Sequence, residues 1–205
     1  MAPMIRPIAC LAALLLAAAP ASSRPAGHSA PAQAPVRVLL QTSDGPILIQ
    51  LEMKRAPITA GNFLRYVEQK KFDGTSFYRA ARTRGAPKLG FIQGGIRHSI
   101  MRALPPIAHE PTSRTGIKHL DGTISMARDQ PGSAMGDFFI TAGPAPAMDA
   151  HPGDPGYAAF GHVVKGMDVV HRILASKTYA DRGSGAMKGQ MLLAPVQIVS
   201  ARRVP

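Results

Sequence analysis

The chain has 205 residues, enough for one domain with a modest core. Its single cysteine excludes a disulfide framework. The formal net charge of +12 is strongly basic, but the cations are scattered, aromatics are few and no basic run exceeds a pair, which argues against a nucleic-acid partner.

The first segment reads as an address rather than as fold. "MAPMIRP" carries one cation, Arg6, and "IACLAALLLAAA" (Ile8–Ala19) is uncharged and apolar. Ala19-Pro20-Ala21 then supplies a small-x-small cleavage pattern. Pro20 interrupts the apolar run before it reaches the ~20 residues that span a bilayer. A signal peptide over residues 1–21 is therefore expected, with export to a periplasm or beyond and no stable membrane insertion after cleavage. Cys10 precedes most of the apolar run, so it is not placed for lipidation. It departs with the signal, leaving no thiol nucleophile and no thiolate metal ligand. Ser22–Pro35, "SSRPAGHSAPAQAP", is rich in Ala, Pro and Ser without an apolar period, and is expected to be a disordered lead-in over residues 22–35. One folded domain is expected over residues 36–205.

Within that domain, "VRVLLQTSDGPILIQLE" (Val36–Glu52) places Asp-Gly between two β-rich runs, a hairpin signal. In Ala56–Lys71 the period changes: Pro57 suits a first helical turn, and Phe63, Leu64 and Val67 share a face. Ser76–Ala80 returns to strand character. A polar, basic loop, "ARTRGAPKLG", follows, and "FIQGG" (Phe91–Gly95) is a short strand ending in glycines. Ile96–Asp121 is irregular, with Pro105, Pro106 and Pro111; long loops in small domains are often functional. "GTISMA", "DFFITAG" and "FGHVVKG" read as strands, Met167–Lys177 as a helix, and "APVQIVSARRV" as a closing strand. This succession is mainly β. It argues for a closed antiparallel barrel, which removes exposed edges, with two helices covering the open ends.

Five segments in order resemble the cyclophilin family of peptidyl-prolyl isomerases: "DGPILIQLEMKRAPITAGNF", "FYRA", "FIQGG", "GTISMARDQPGSAMGDFFI" and "FGHVVKGMDVV". The resemblance covers roughly Val36 to the end. It implies a closed eight-stranded antiparallel β-barrel capped by two α-helices, no cofactor, and proline-containing polypeptides as substrates of a monomeric folding catalyst.

The resemblance assigns the catalytic role to Arg79 in "FYRA". Rotating a peptide bond costs ~18–20 kcal/mol. In the twisted amide the proline nitrogen regains a lone pair. A permanently charged guanidinium that bonds that nitrogen favours the twisted state over the planar one. Gln93 is implied to hold the substrate backbone, and Phe91, two residues earlier, leaves the strand on the same face as part of an apolar pocket. Phe139 is implied to floor the proline pocket. Phe138 should then point into the barrel. Ala127 and Arg128 match the pair that contacts the residue before proline, the second through its backbone. Gly132 and Gly136 are expected to let the loop between them turn.

Departures from the family concern the same groove. Asp137 stands where many members have glutamine, and brings a negative charge near Arg79. Tyr157 stands where the best-known eukaryotic members have histidine, and can wall the pocket with its ring. Met148 is offered as the apolar contact of a missing leucine. The Arg79–Gln93 connection is longer than in compact members and carries Arg82, Arg84 and Lys88.

Other readings are weaker. His109-Glu110 and "DAHPGD" (Asp149–Asp154) contain possible metal ligands without metal-site spacing, so no metal is expected. Ser125, Ser133 and His162 form no nucleophile elbow. A binding module or chaperone that grips proline segments with little turnover is the alternative from another class. A third reading, an envelope protein held to anionic surfaces by charge, predicts association that salt abolishes.

Overall fold

The Asp44-Gly45 signal turns the chain as expected. β1 (Val36–Thr42) and β2 (Gly45–Leu51) pair antiparallel, with Val36 opposite Leu51 and Thr42 opposite Gly45. The structure is a computed structural model that describes Met1 and residues 34–205, apart from position 98. The expected signal peptide and lead-in lie outside the described residues, save Met1, Ala34 and Pro35.

α1 (Pro57–Glu68) starts at its proline and buries Phe63, Leu64, Tyr66 and Val67. Its first turn has no side-chain cap of its own. The carboxylate of Glu110 supplies one: it accepts the Thr59 backbone N–H and the Thr59 hydroxyl, each at 2.7 Å. An anion at a helix N-terminus satisfies an orphan donor and complements the dipole. The His109-Glu110 pair weighed as metal ligands is thus divided: Glu110 is buried in this cap, and His109 contacts the Pro155 carbonyl at 3.2 Å.

β3 (Thr75–Thr83) and β4 (Ala86–Gly95) correct the expected loop "ARTRGAPKLG". Ala81 pairs with Phe91, Arg82 with Gly90 and Thr83 with Ala86, so only Arg84 and Gly85 turn. Gly85 has φ +79°, the left-handed conformation a tight turn needs. Arg84 and Lys88 face solvent. Polarity here marks a hairpin that projects into water, where hydrophobic alternation is not required.

The remaining strands and α-helices are α2 (Thr112–Thr115), β5 (Thr123–Met126), β6 (Asp137–Ala142), β7 (Ala158–Lys165), α3 (Met167–Ala175) and β8 (Met191–Val204). They complete a closed barrel in the order β1-β2-β7-β5-β6-β4-β3-β8, with antiparallel pairs throughout. Of the expected helices, α1 packs on β7 and β8, and α3 on β2, β3, β4 and β6. α2 is a single turn inside the segment expected to be irregular, ended by Gly116 at φ +69°.

The core is aromatic at its centre. Phe138 meets Phe63 edge-on at 5.3 Å, Phe72 at 5.4 Å and Phe77 at 5.7 Å between centroids. All four rings are essentially inaccessible, and aliphatic residues of β1, β2, β4 to β6 and β8 surround them. Phe138 therefore points inward, as its place in β6 predicts.

Candidate active site

The site begins with a break in strand alternation. Phe77 pairs with Gly94 and Arg79 with Gln93, so Tyr78 has no opposite number: β3 carries a bulge there. Phe77 and Ala80 turn into the core, while Tyr78 and Arg79 both leave on the outer side. Gly94 is needed opposite, because a Cβ there would lie 2.8 Å from the Phe77 ring and 2.9 Å from the Ser76 carbonyl oxygen.

These two outward-facing residues join one hydrogen-bonded chain. Arg79 donates from Nε to Gln190 Oε1 at 2.8 Å and from Nη1 to Gln93 Oε1 at 2.8 Å. Gln93 Nε2 donates to the Tyr78 hydroxyl at 2.8 Å, and that hydroxyl donates to Asp137 Oδ1 at 3.1 Å. The Arg97 backbone N–H donates to the same oxygen at 2.8 Å. The directions are mutually consistent: the Tyr78 hydroxyl has one proton, which it donates to the carboxylate oxygen, so its own oxygen accepts from Gln93. The Gln93 amide is thereby oriented with its oxygen toward the guanidinium. Asp137, expected from the sequence as a negative charge near Arg79, thus reaches it through Tyr78 and Gln93.

Burial and charge act on these groups in a consistent way. Burial first, and Asp137 second, push the Tyr78 hydroxyl well above its ordinary range. It stays a neutral donor at any working pH. Burial lowers the Arg79 pKa, opposed by the neighbouring tyrosines, and guanidinium remains a cation.

The groove beside this chain encloses about 320 Å³. Arg79, Phe91, Gln93, Ala127, Arg128, Asp137, Phe139 and Tyr157 all line it, together with Met135, Met148 and Met187. The structure brings every sequence-predicted site residue to one place. Phe139 is the floor: Phe91 lies 5.3 Å away at 54°, and Tyr157 meets it edge-on at 5.3 Å. The Arg79 guanidinium sits 4.9 Å from the Phe91 centroid, so cation and apolar wall are adjacent. The Arg128 side chain turns aside. It donates to the Gly156 carbonyl at 2.6 Å and lies 4.9 Å from the Tyr157 centroid, bracing that wall.

Two residues of the site carried no readable signal. Gln190 holds Arg79 Nε from a polar, glycine-rich stretch before β8, 111 positions away. Tyr78 would have been sent to the wrong face by strict alternation. The role expected of Gly136 is also corrected. Its φ is not positive. A Cβ there would lie 2.5 Å from the Tyr66 ring, so close approach, and not the turn, requires glycine. Gly132, at φ +85°, does serve the turn.

Behind the floor lies a buried histidine. His119 stacks on Phe139 at 5.8 Å and 12°. Its Nδ1 is 2.8 Å from Asp149 Oδ1 and its Nε2 is 3.0 Å from Ser125 Oγ. The residue types match a hydrolytic triad, but Ser125 and His119 are closed to solvent, and the arrangement fixes the ring under Phe139. Asp149, weighed as a metal ligand, is spent on this histidine. Burial lowers the His119 pKa below its ordinary 6.5, outweighing the Asp149 bond that raises it. The unfolded chain then binds this proton more readily than the folded one. Stability is fully present above the ordinary value and is lost as pH falls toward the folded value. Melting temperature is expected to decline from pH 7 toward pH 5, and His119→Gln to flatten that slope; an unchanged slope in the variant would assign the decline elsewhere.

Comparison with known proteins places these features among relatives. Residues 37–202 match the family model described as "Cyclophilin type peptidyl-prolyl cis-trans isomerase/CLD". The chain is 39% identical over 146 residues to "Peptidyl-prolyl cis-trans isomerase A" of Dickeya dadantii, covering 69% of this chain and 72% of that protein. It is 36% identical over 180 residues to a peptidyl-prolyl cis-trans isomerase of Acinetobacter baylyi, covering 85% and 88%. Its fold is similar to a Cryptosporidium parvum cyclophilin-type isomerase solved in the presence of the dipeptide Ala-Pro, with a TM-score of 0.66 at 19% identity, covering 82% of this chain and 99% of that one.

Proposed function

Because the chain belongs to the family of cyclophilin-type peptidyl-prolyl cis-trans isomerases, we propose that its Arg79 groove is where it turns X-Pro bonds, and that it does so on exported polypeptides. The observation that carries the reading is the oriented guanidinium beside an aromatic floor. The proline ring rests on Phe139 between Phe91 and Tyr157, and the preceding residue lies along the Ala127-Arg128 rim. Arg79 then faces the imide nitrogen. No covalent bond is made or broken. The bonds to Gln190 and Gln93 commit two of the five guanidinium N–H groups, leaving the others for the substrate. As the amide twists, the nitrogen pyramidalises and becomes an acceptor, so the bond from Arg79 strengthens in the transition state. Gln93 steers Arg79 and grips the substrate backbone.

The test is isomerisation of a proline peptide by the wild-type protein beside Arg79→Ala. Equal slowness of both with normal peptide affinity would leave only the binding-module reading. The relay makes a separate prediction. Tyr78→Phe removes the donor to Asp137 and the acceptor for Gln93, so kcat/KM is expected to fall roughly fivefold, the worth of about one net hydrogen bond. Asp137→Asn should cost a similar factor, and the double variant less than the product of the two. Full multiplicativity would show that Asp137 and Tyr78 act separately.

Export rests on the order of Arg6, the Ile8–Ala19 apolar run and Ala19-Pro20-Ala21. Expressed in a Gram-negative host, the full chain should yield an extracytoplasmic product whose N-terminus lies near Ser22. Retention of an intact N-terminus in the cytoplasm would end this part of the proposal.

A further inference from the structure

A second cavity, of about 490 Å³, opens beside the groove and shares Gln93 and Met187 with it. Its apolar lining is Met187, Met191, Leu192, Leu193 and Pro195. Its charged lining is of one sign: Arg97 and Arg182. Each guanidinium is laid against a ring. Arg182 lies 3.8 Å from the Tyr179 centroid and Arg97 lies 5.6 Å from that of Tyr78. Stacking occupies the faces of a guanidinium and leaves its N–H edges free to bind a carboxylate. Among the described residues, neither arginine is in an ion pair.

We propose that this cavity extends the substrate site and takes an acidic side chain from the segment that follows the isomerised proline. The inference rests on the isomerase reading of the groove. Its direction comes from the linings: Ala127 and Arg128, the rim for the residue before proline, line the groove and not the cavity. The chain after the proline passes Gln93 and Met187, which line both the groove and the cavity. An extended chain advances about 3.3 Å per residue, so the second or third residue after proline enters it. The apolar lining receives the methylenes of a glutamate while its carboxylate meets the two guanidiniums. A lysine at the same place meets like charge.

The experiment compares hexapeptides Ala-Ala-Pro-Ala-Xaa-Ala with Xaa as Glu, Gln or Lys, and a control with Glu at the first position, before the proline. Isomerisation and affinity are measured with wild-type protein, Arg182→Gln and Arg182→Glu. A partly exposed charge-assisted bond predicts a Glu-over-Gln preference of roughly three- to tenfold in kcat/KM, reduced by half-molar salt. Arg182→Gln should shrink that ratio toward one, and Arg182→Glu should favour Lys. Arg182 is exposed and makes no core contact, so both variants are expected to fold. Turnover of the Gln peptide without any Glu preference would overturn the subsite and leave the isomerase reading intact. The same preference from Glu placed before the proline would also overturn it. Affinity that favours Glu without turnover of any peptide would sink the isomerase reading and keep the subsite.

Discussion

Replacing Arg79 with alanine is expected to lower kcat/KM for proline isomerisation by on the order of 10²–10³-fold, while peptide affinity changes little. An acceleration of order 10⁵ over the uncatalysed rotation needs ~7 kcal/mol of differential binding. A preorganised cationic donor in a partly desolvated groove supplies about 3–4 kcal/mol of it, comparable with loss of a single oxyanion-type donor. The planar ground state offers Arg79 a weakly accepting nitrogen, so the loss falls on kcat rather than on binding. Arg79→Lys should recover only a small part. An ammonium is a point charge on a flexible stem. Its single nitrogen lacks the rigid planar fork by which Nε and Nη1 reach Gln190 Oε1 and Gln93 Oε1 at 2.8 Å and aim the remaining N–H groups at the substrate. Near-wild-type turnover by the lysine variant would show that charge alone suffices and that the two glutamine bonds are incidental.

Two adjacent phenylalanines should fail in opposite ways. Phe138→Ala removes the ring that contacts Phe63, Phe72 and Phe77 and leaves a cavity at the centre of the barrel. The expected cost is about 3–5 kcal/mol. That is a large share of the ~5–15 kcal/mol that holds a domain folded, and a Tm drop on the order of 10 °C. Phe139→Ala removes a ring whose partners are Phe91, Tyr157 and His119 on the outer face. It should cost less stability and most of the peptide affinity, because the proline ring loses its floor. Thermal melts and peptide titrations of the two variants separate the effects. A fall in affinity without a fall in Tm for Phe138→Ala would reverse the facing given to β6.

These residues also show where sequence reading succeeds. The facing of Phe138 and Phe139 follows from a period of two in a regular strand, and β6 is regular. The hairpin at Asp44-Gly45 and the first turn of α1 follow from local backbone preferences that tertiary contacts do not oppose. Gathering Arg79, Gln93, Phe139 and Tyr157 into one site came from resemblance. No local pattern says that β3, β4, β6 and the segment before β7 meet.

The hairpin from Ala81 to Gly90 was hidden for a different reason. Its outer part is held by ladder bonds and a glycine turn while its side chains remain in water. Hydrophobic alternation reports burial, and a paired strand that is not buried leaves no such trace.

Local chemistry alone therefore set the Asp44-Gly45 hairpin, the two longer helices and the inward or outward sense of each regular buried strand position. The closed barrel decided the rest. It required a bulge at Tyr78, and the bulge put Tyr78 and Arg79 on the same side. It brought Gln190 to Arg79 from 111 positions away and joined Asp137 to Arg79 through Tyr78 and Gln93. Each of these is a pairing between distant segments. Its free energy belongs to the contact and not to either segment, so neither segment shows it by itself.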